Sequence, residues 1–141
     1  MKRKSLPALM LALLLWPLSA YATDSARVYF LTFRFMTTYV PETQESLVSS
    51  PFEKWTISSQ QKQEHLLGIL NTGAKAASFI DTALRGVAFI GGQSFLIDMA
   101  GVVKRDDGSL VRMDKEAFLK FGKSLSSAER IVLYDPHRSK K

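Results

Sequence analysis

An α+β fold built around an antiparallel sheet is what this 141-residue chain predicts, and three observations carry that reading. Between Gly86 and Met113, the turn signals Gly91-Gly92 and Asp106-Asp107-Gly108 separate three runs rich in β-formers, which is the pattern of a meander. Runs of the same character at Arg27–Val40 and Ile131–Tyr134 add strands at the two ends. Apolar residues at helical spacing behind capping residues, near Ser58 and Asp114, add two helices, and Ala74 to Arg85 offers a third.

The chain opens with Met-Lys-Arg-Lys, an apolar run from Leu6 to Leu18, and Ser19-Ala20-Tyr21-Ala22. This is the layout of an export signal cleaved after Ala22, since the apolar stretch is short for a bilayer span and ends in Ala-x-Ala. Residues 1–22 are therefore read as a signal peptide, 23–135 as one globular domain and 136–141 as a basic tail. With no cysteine there is no lipid attachment and no disulfide, so packing alone stabilises the domain. An exported chain of this kind, with no Asn-x-Ser/Thr sequon, is expected in the bacterial periplasm.

In the mature chain, Arg27–Val40 reads as a strand whose odd positions Tyr29, Leu31, Phe33, Phe35 and Tyr39 share a face, with a bend near Thr37-Thr38. Pro41–Ser50 reads as an acidic surface loop. Phe52–Ile57 is a short strand with Trp55 and Ile57 on one side. Ser58 and Gln61 have capping-box spacing and start a helix that turns Leu66, Leu67, Ile69 and Leu70 inward and stops near Gly73.

From Ala74 to Arg85, Ala76, Ala77, Ile80, Ala83 and Leu84 recur at helical spacing, and Asp81 with Arg85 makes an i,i+4 pair. A two-residue Gly91-Gly92 turn then pairs Ile90 with Gln93, Ala88 with Phe95 and Gly86 with Ile97. Extended further, that register sets Arg85 against Asp98, which excludes the helix, and both alternatives stand. A three-residue Asp106-Asp107-Gly108 loop pairs Val103 with Val111 and Gly101 with Met113. The intervening Ser94–Arg105 reads as one strand, with Leu96, Ala100 and Val102 around Asp98 forming a second face too apolar to lie open. Beyond it, Asp114 caps a helix with the stripe Phe118, Phe121 and Leu125.

The formal charge of +6 overstates the basicity of the fold. Lys2, Arg3 and Lys4 leave with the signal, and Arg138, Lys140 and Lys141 sit in the tail, so nucleic acid is an unsupported partner and no stable membrane anchor remains. Reactive groups are sparse. His65 and His137 lack metal-ligand spacing, and Gly91-Gly92 opens no helix for a dinucleotide. Ser59-Gln-Gln-Lys62 matches Ser-x-x-Lys but lacks the companion motifs of the serine enzymes that use it. No catalytic, metal or cofactor-binding residues are assigned. The acidic residues Glu42, Glu45, Asp106 and Asp107 are the candidate contacts to a basic protein partner.

In overall format, an export signal on a cysteine-free α+β body without catalytic groups, the chain resembles the periplasmic immunity proteins of bacteriocin producers, of the pesticin type. The resemblance implies a non-enzymatic inhibitor that binds a toxin, such as one with a muramidase domain, stoichiometrically. An accessory component of an envelope or conjugation apparatus and a small periplasmic hydrolase are the alternatives.

Overall fold

The computed structural model describes residues 24–34 and 42–135. The expected signal peptide, the outer part of the first strand with Phe35, Tyr39 and the Thr37-Thr38 bend, and the tail with His137 lie outside the described residues. Within them the fold is α+β, as expected: eight strands form a single sheet, accompanied by three α-helices. The strands are β1 (Ala26–Phe30), β2 (Glu53–Ile57), β3 (Ala74–Lys75), β4 (Leu84–Ile90), β5 (Gln93–Asp98), β6 (Val102–Arg105), β7 (Leu110–Arg112) and β8 (Arg130–Val132), in the order β3-β7-β6-β5-β4-β1-β2-β8. Every neighbouring pair is antiparallel. The helices are α1 (Gln44–Ser49), α2 (Gln60–Asn71) and α3 (Lys115–Ser124).

Both derived turns hold. Gly91 and Gly92 take φ of 56° and 77°, and the β4–β5 register pairs Ile90 with Gln93, Ala88 with Phe95 and Gly86 with Ile97. Gly108 takes φ of 81°, Val103 faces Val111, and the Met113 N–H donates to the Gly101 carbonyl.

The central run differs from expectation, because it is two strands and not one. Met99-Ala100-Gly101 makes a three-residue loop with Gly101 at φ 84°, folding β6 back on β5 so that Ile97 faces Val103. Asp98 causes the break: its Oδ1 accepts from the Ala100 and Val102 N–H groups, both at 2.9 Å. Its Oδ2 accepts from the Ile80 N–H at 3.0 Å.

That last bond also decides Ala74–Arg85. No helix forms; residues 74–75 pair with β7, and one turn of 3-10 helix at Asp81–Ala83 leads into β4. Of the apolar residues at helical spacing only Ala76 and Leu84 are buried, whereas Ile80 is exposed. The register shifts between Leu84↔Asp98 and Gly86↔Ile97, leaving Arg85 as the extra residue of a bulge. It pairs with neither Asp81 nor Asp98: Nη1 donates to the Leu84 carbonyl, Nη2 approaches the Met99 sulfur, and Nε has no partner.

α2 and α3 cover one face of the sheet. Leu66, Leu70, Phe118, Phe121 and Leu125 meet Val28, Phe30, Trp55, Ile57, Phe95, Ile97 and Val103 there, in a core centred on the Trp55 and Phe118 rings 4.9 Å apart. Leu67 and Ile69 pack at its margin. Asp114 caps α3 through the Glu116 and Ala117 N–H groups. Ser59 caps α2 through the Lys62 N–H, one residue later than expected, and the Ser58 hydroxyl instead meets that of Ser25 at 3.2 Å. Gly73 ends that helix for reasons of approach: a Cβ there would sit 1.9 Å from the Arg112 carbonyl oxygen.

The second face is covered in part by the chain itself. The expected 41–50 loop is in its described part a helix, α1, since Thr43 and Ser46 form a reciprocal capping box in which serine replaces the usual Glu or Gln. Its fully buried Leu47 joins Tyr29, Leu31, Leu84 and Val87. Phe33 departs from the expected odd-position face: β1 ends at Phe30, and Phe33 packs against the ring of Phe118 on the helix side.

Two substitutions test this packing. Gly122→Ala places a Cβ 2.4 Å from Trp55 Cζ2. Helix propensity alone favours alanine by about 1 kcal/mol, so net destabilisation of about 1–3 kcal/mol in urea unfolding is the outcome expected from overpacking. Asp98→Asn must turn an amide donor toward one of three backbone donors; an expected loss of about 1–3 kcal/mol is checked by the same measurement.

Candidate functional site

The four candidate contacts do not form one surface. Glu42 accepts from the Ser46 hydroxyl at 2.6 Å beside the start of α1, and Glu45 lies in its first turn. α1 rests where Leu31 and Leu84 meet, at the β4 end away from the Gly91-Gly92 turn. Asp106 lies at the other end, accepting from both the N–H and the hydroxyl of Ser94 at 3.1 and 2.6 Å. The two ends are separated by the length of β4, roughly 20 Å. Asp107 likewise accepts from the N–H and hydroxyl of Ser109. These bonds hold both aspartates below the ordinary value near 3.8, and Asp107 gains a smaller contribution from Arg105. The pair shapes the β6–β7 turn and remains exposed.

A second concave surface lies elsewhere, beside β8. A groove of about 710 Å³ runs between residues 30–34, Phe52 and Glu53, Leu119 of α3, Arg130 and residues 132–135. Phe30 and Phe33 stack edge-to-face at 5.0 Å in its wall, and Phe52 lies 4.7 Å from Tyr134. Four consecutive apolar residues stand open here: Ile131, Val132, Leu133 and Tyr134 are 49%, 50%, 60% and 50% exposed, and the last three line the groove. A run of that kind is unusual on a surface without a partner.

β8 is also an edge of the sheet, since β2 is its sole neighbour among the described residues. The Thr56 N–H donates to Glu129, and the Leu133 N–H donates to Phe52. Residues 129, 131 and 133 therefore bond inward, and antiparallel alternation turns the N–H and C=O of Val132 outward.

The start of the strand is clamped twice. Arg130 Nε and Nη2 donate to the two carboxylate oxygens of Glu53 at 2.9 and 3.0 Å, and Trp55 Nε1 donates to the same carboxylate at 2.7 Å. Glu53 raises the Arg130 pKa further above its ordinary range. On the α2 side, Lys62 Nζ donates to Glu129 at 2.7 Å, and this bond, with the Ser126 N–H, holds the Glu129 carboxyl below its usual value. The first pair is bidentate and partly buried, so it contributes more than the second, in which Lys62 is 42% exposed.

Reactive groups are engaged structurally. Ser59 caps α2, Lys62 holds Glu129, and exposed His65 packs edge-to-face on Phe121 at 5.2 Å. None of the three lines the groove. Among the described residues, no three His, Asp or Glu side chains gather around a metal position.

Sequence reasoning identified the last strand without its exposure. The available signal was the uninterrupted run Ile-Val-Leu-Tyr directly before Asp-Pro, since a chain end with no alternation has no solvent face to offer. No protein-family model, curated protein or solved structure matches the chain.

The aspartate bonds give a pH test. A folded pKa depressed below the unfolded value makes Asp106 contribute stability that is present above pH 3.8 and lost as pH falls through the lower folded value. Carboxyl NMR titration is expected to place the Asp106 midpoint below 3.8, and Ser94→Ala to move it upward while leaving Asp107 in place.

Proposed function

We propose that this chain is an exported binding protein that neutralises a toxin acting in the periplasm, a peptidoglycan-degrading muramidase domain being the partner class. It engages that partner through the β8 edge. The observation that supports this reading is the clamped, open strand: four half-exposed apolar residues carried on a backbone held by the Glu53–Arg130 pair. A frayed edge costs ordering entropy on binding, whereas a clamped one is already organised for a partner strand.

An extended segment of the toxin adds to the sheet beside β8. The outward N–H and C=O of Val132 supply the first ladder bonds, and the groove takes apolar side chains at alternate positions. The acidic residues flanking the two ends of the sheet contribute to the encounter rate with a basic hydrolase more than to contact energy. The engaged states of Ser59 and Lys62 weigh against the hydrolase alternative.

Val132→Pro tests the edge. Proline removes an outward N–H that no ladder bond uses, so the fold is expected to persist, as proline on sheet edges allows. Protection against the toxin on periplasmic co-expression, beginning with the product of the neighbouring gene, is expected to be lost, together with formation of a one-to-one complex. Failure of the unsubstituted chain to protect removes the toxin reading. Protection retained by a folded Val132→Pro variant removes the edge as its means.

A further inference from the structure

Arg85 is a buried cation for which the fold supplies no acid. It is 7% exposed, at the bulge where β4 begins. All thirteen aspartates and glutamates of the chain lie among the described residues, and neither ion pair formed there includes Arg85. Asp98, which the register sets opposite the preceding Leu84, already accepts from three backbone N–H groups. A guanidinium this deep is costly unless its charge and its N–H groups are met.

The unmet part is one edge of the fork. Nη1 donates to the Leu84 carbonyl at 3.1 Å, so that corner is engaged. The opposite edge, formed by Nε and Nη2, has the Met99 sulfur 3.9 Å from Nη2 and no partner on Nε. Arg130 shows within the same molecule what that edge accepts, since its Nε and Nη2 donate to the two oxygens of Glu53 at 2.9 and 3.0 Å. On Arg85 the same edge meets only a thioether. That sulfur is a weak acceptor on a flexible, unbranched and partly exposed side chain, and a stronger acceptor displaces it.

We propose that the Nε–Nη2 edge of Arg85 binds a small carboxylate monoanion, with Met99 as the side chain that yields to it. Two parallel N–H···O bonds satisfy Nε and replace the sulfur contact on Nη2, and one negative charge balances one positive. A dianion would leave excess charge in a buried place, and chloride has no second acceptor atom for the fork. The space released is that of a methionine side chain, so the ligand is of the size of acetate. The site lies on β4 and stands independently of the toxin reading of β8.

The test is an NMR titration of the full chain with sodium acetate, read at the Arg85 side-chain Nε–H, beside acetamide and sodium chloride. A saturable shift of that signal is expected, with shifts at the amides of residues 83–86 and 98–101 and a dissociation constant on the order of millimolar, as so small a ligand allows. Acetamide, of like shape but uncharged, is expected to leave these signals in place, as is chloride at equal ionic strength. Arg85→Met, which keeps an unbranched apolar stem, is expected to lose the amide shifts. Met99→Ala, which removes the competing sulfur and leaves Arg85 in place, is expected to tighten binding about threefold. Absence of saturable shifts in the unsubstituted chain, equal shifts with acetamide or chloride, amide shifts retained in Arg85→Met, or unchanged affinity in Met99→Ala overturns the proposal.

Discussion

Asp98 is fully buried, and its two carboxylate oxygens accept from three backbone N–H groups, those of Ala100, Val102 and Ile80. A carboxylate this deep is tolerated only where hydrogen bonds replace its lost water, and here the donors come entirely from the backbone. The consequence runs through the middle of the sheet. Two of the bonds close the Met99-Ala100-Gly101 loop and make β6 return along β5. The third holds the 76–80 segment over the second face, where Phe79 joins the cluster around Leu47 and receives Lys104 Nζ at 5.7 Å from its ring centre.

From that arrangement the surface follows. With residues 74–75 committed to β7 and α1 seated on β4 and β1, the chain covers its own second face at one end and leaves the Arg27 end open. Leu119 of α3 reaches the groove beside β8, and Arg130 at the start of that strand is held by Glu53. That carboxylate gathers Arg130 and Trp55 Nε1, so one group fixes both the last strand and the central ring of the core. An exposed edge held this firmly differs from a terminal strand that frays, and it is the reason the groove beside it is a defined surface.

Much of the fold was legible in the residues themselves. The Gly91-Gly92 and Asp106-Asp107-Gly108 turns dictate backbone conformations that few other residues adopt, so their registers followed by counting. The stripe Phe118, Phe121, Leu125 behind Asp114 was equally direct. The acidic surface contacts were less so, because Glu42 and Asp106 look equivalent in sequence yet sit toward opposite ends of the sheet. Charge type is local, whereas proximity depends on strand order. The β8 groove was not legible, since its walls come from residues 30–34, 52–53, 119, 130 and 132–135, which strand order and not sequence brings together.

What the sequence by itself determined was a set of local decisions: the two turns, the Asp114 cap, the alternation in Trp55 and Ile57, and the α+β class. Tertiary structure decided the cases in which two local readings competed. Ala74–Arg85 has helical spacing, but the Ile80 N–H is worth more on the buried Asp98 carboxylate than within an isolated helix. Gln44–Ser49 reads as a loop, but a single apolar side chain, Leu47, found a fully buried place over β4 and stabilised one short helix. Helix propensity and apolar spacing act over a few residues with energies of tenths of a kilocalorie, whereas burial of a charge or a leucine depends on distant strands and is several times larger.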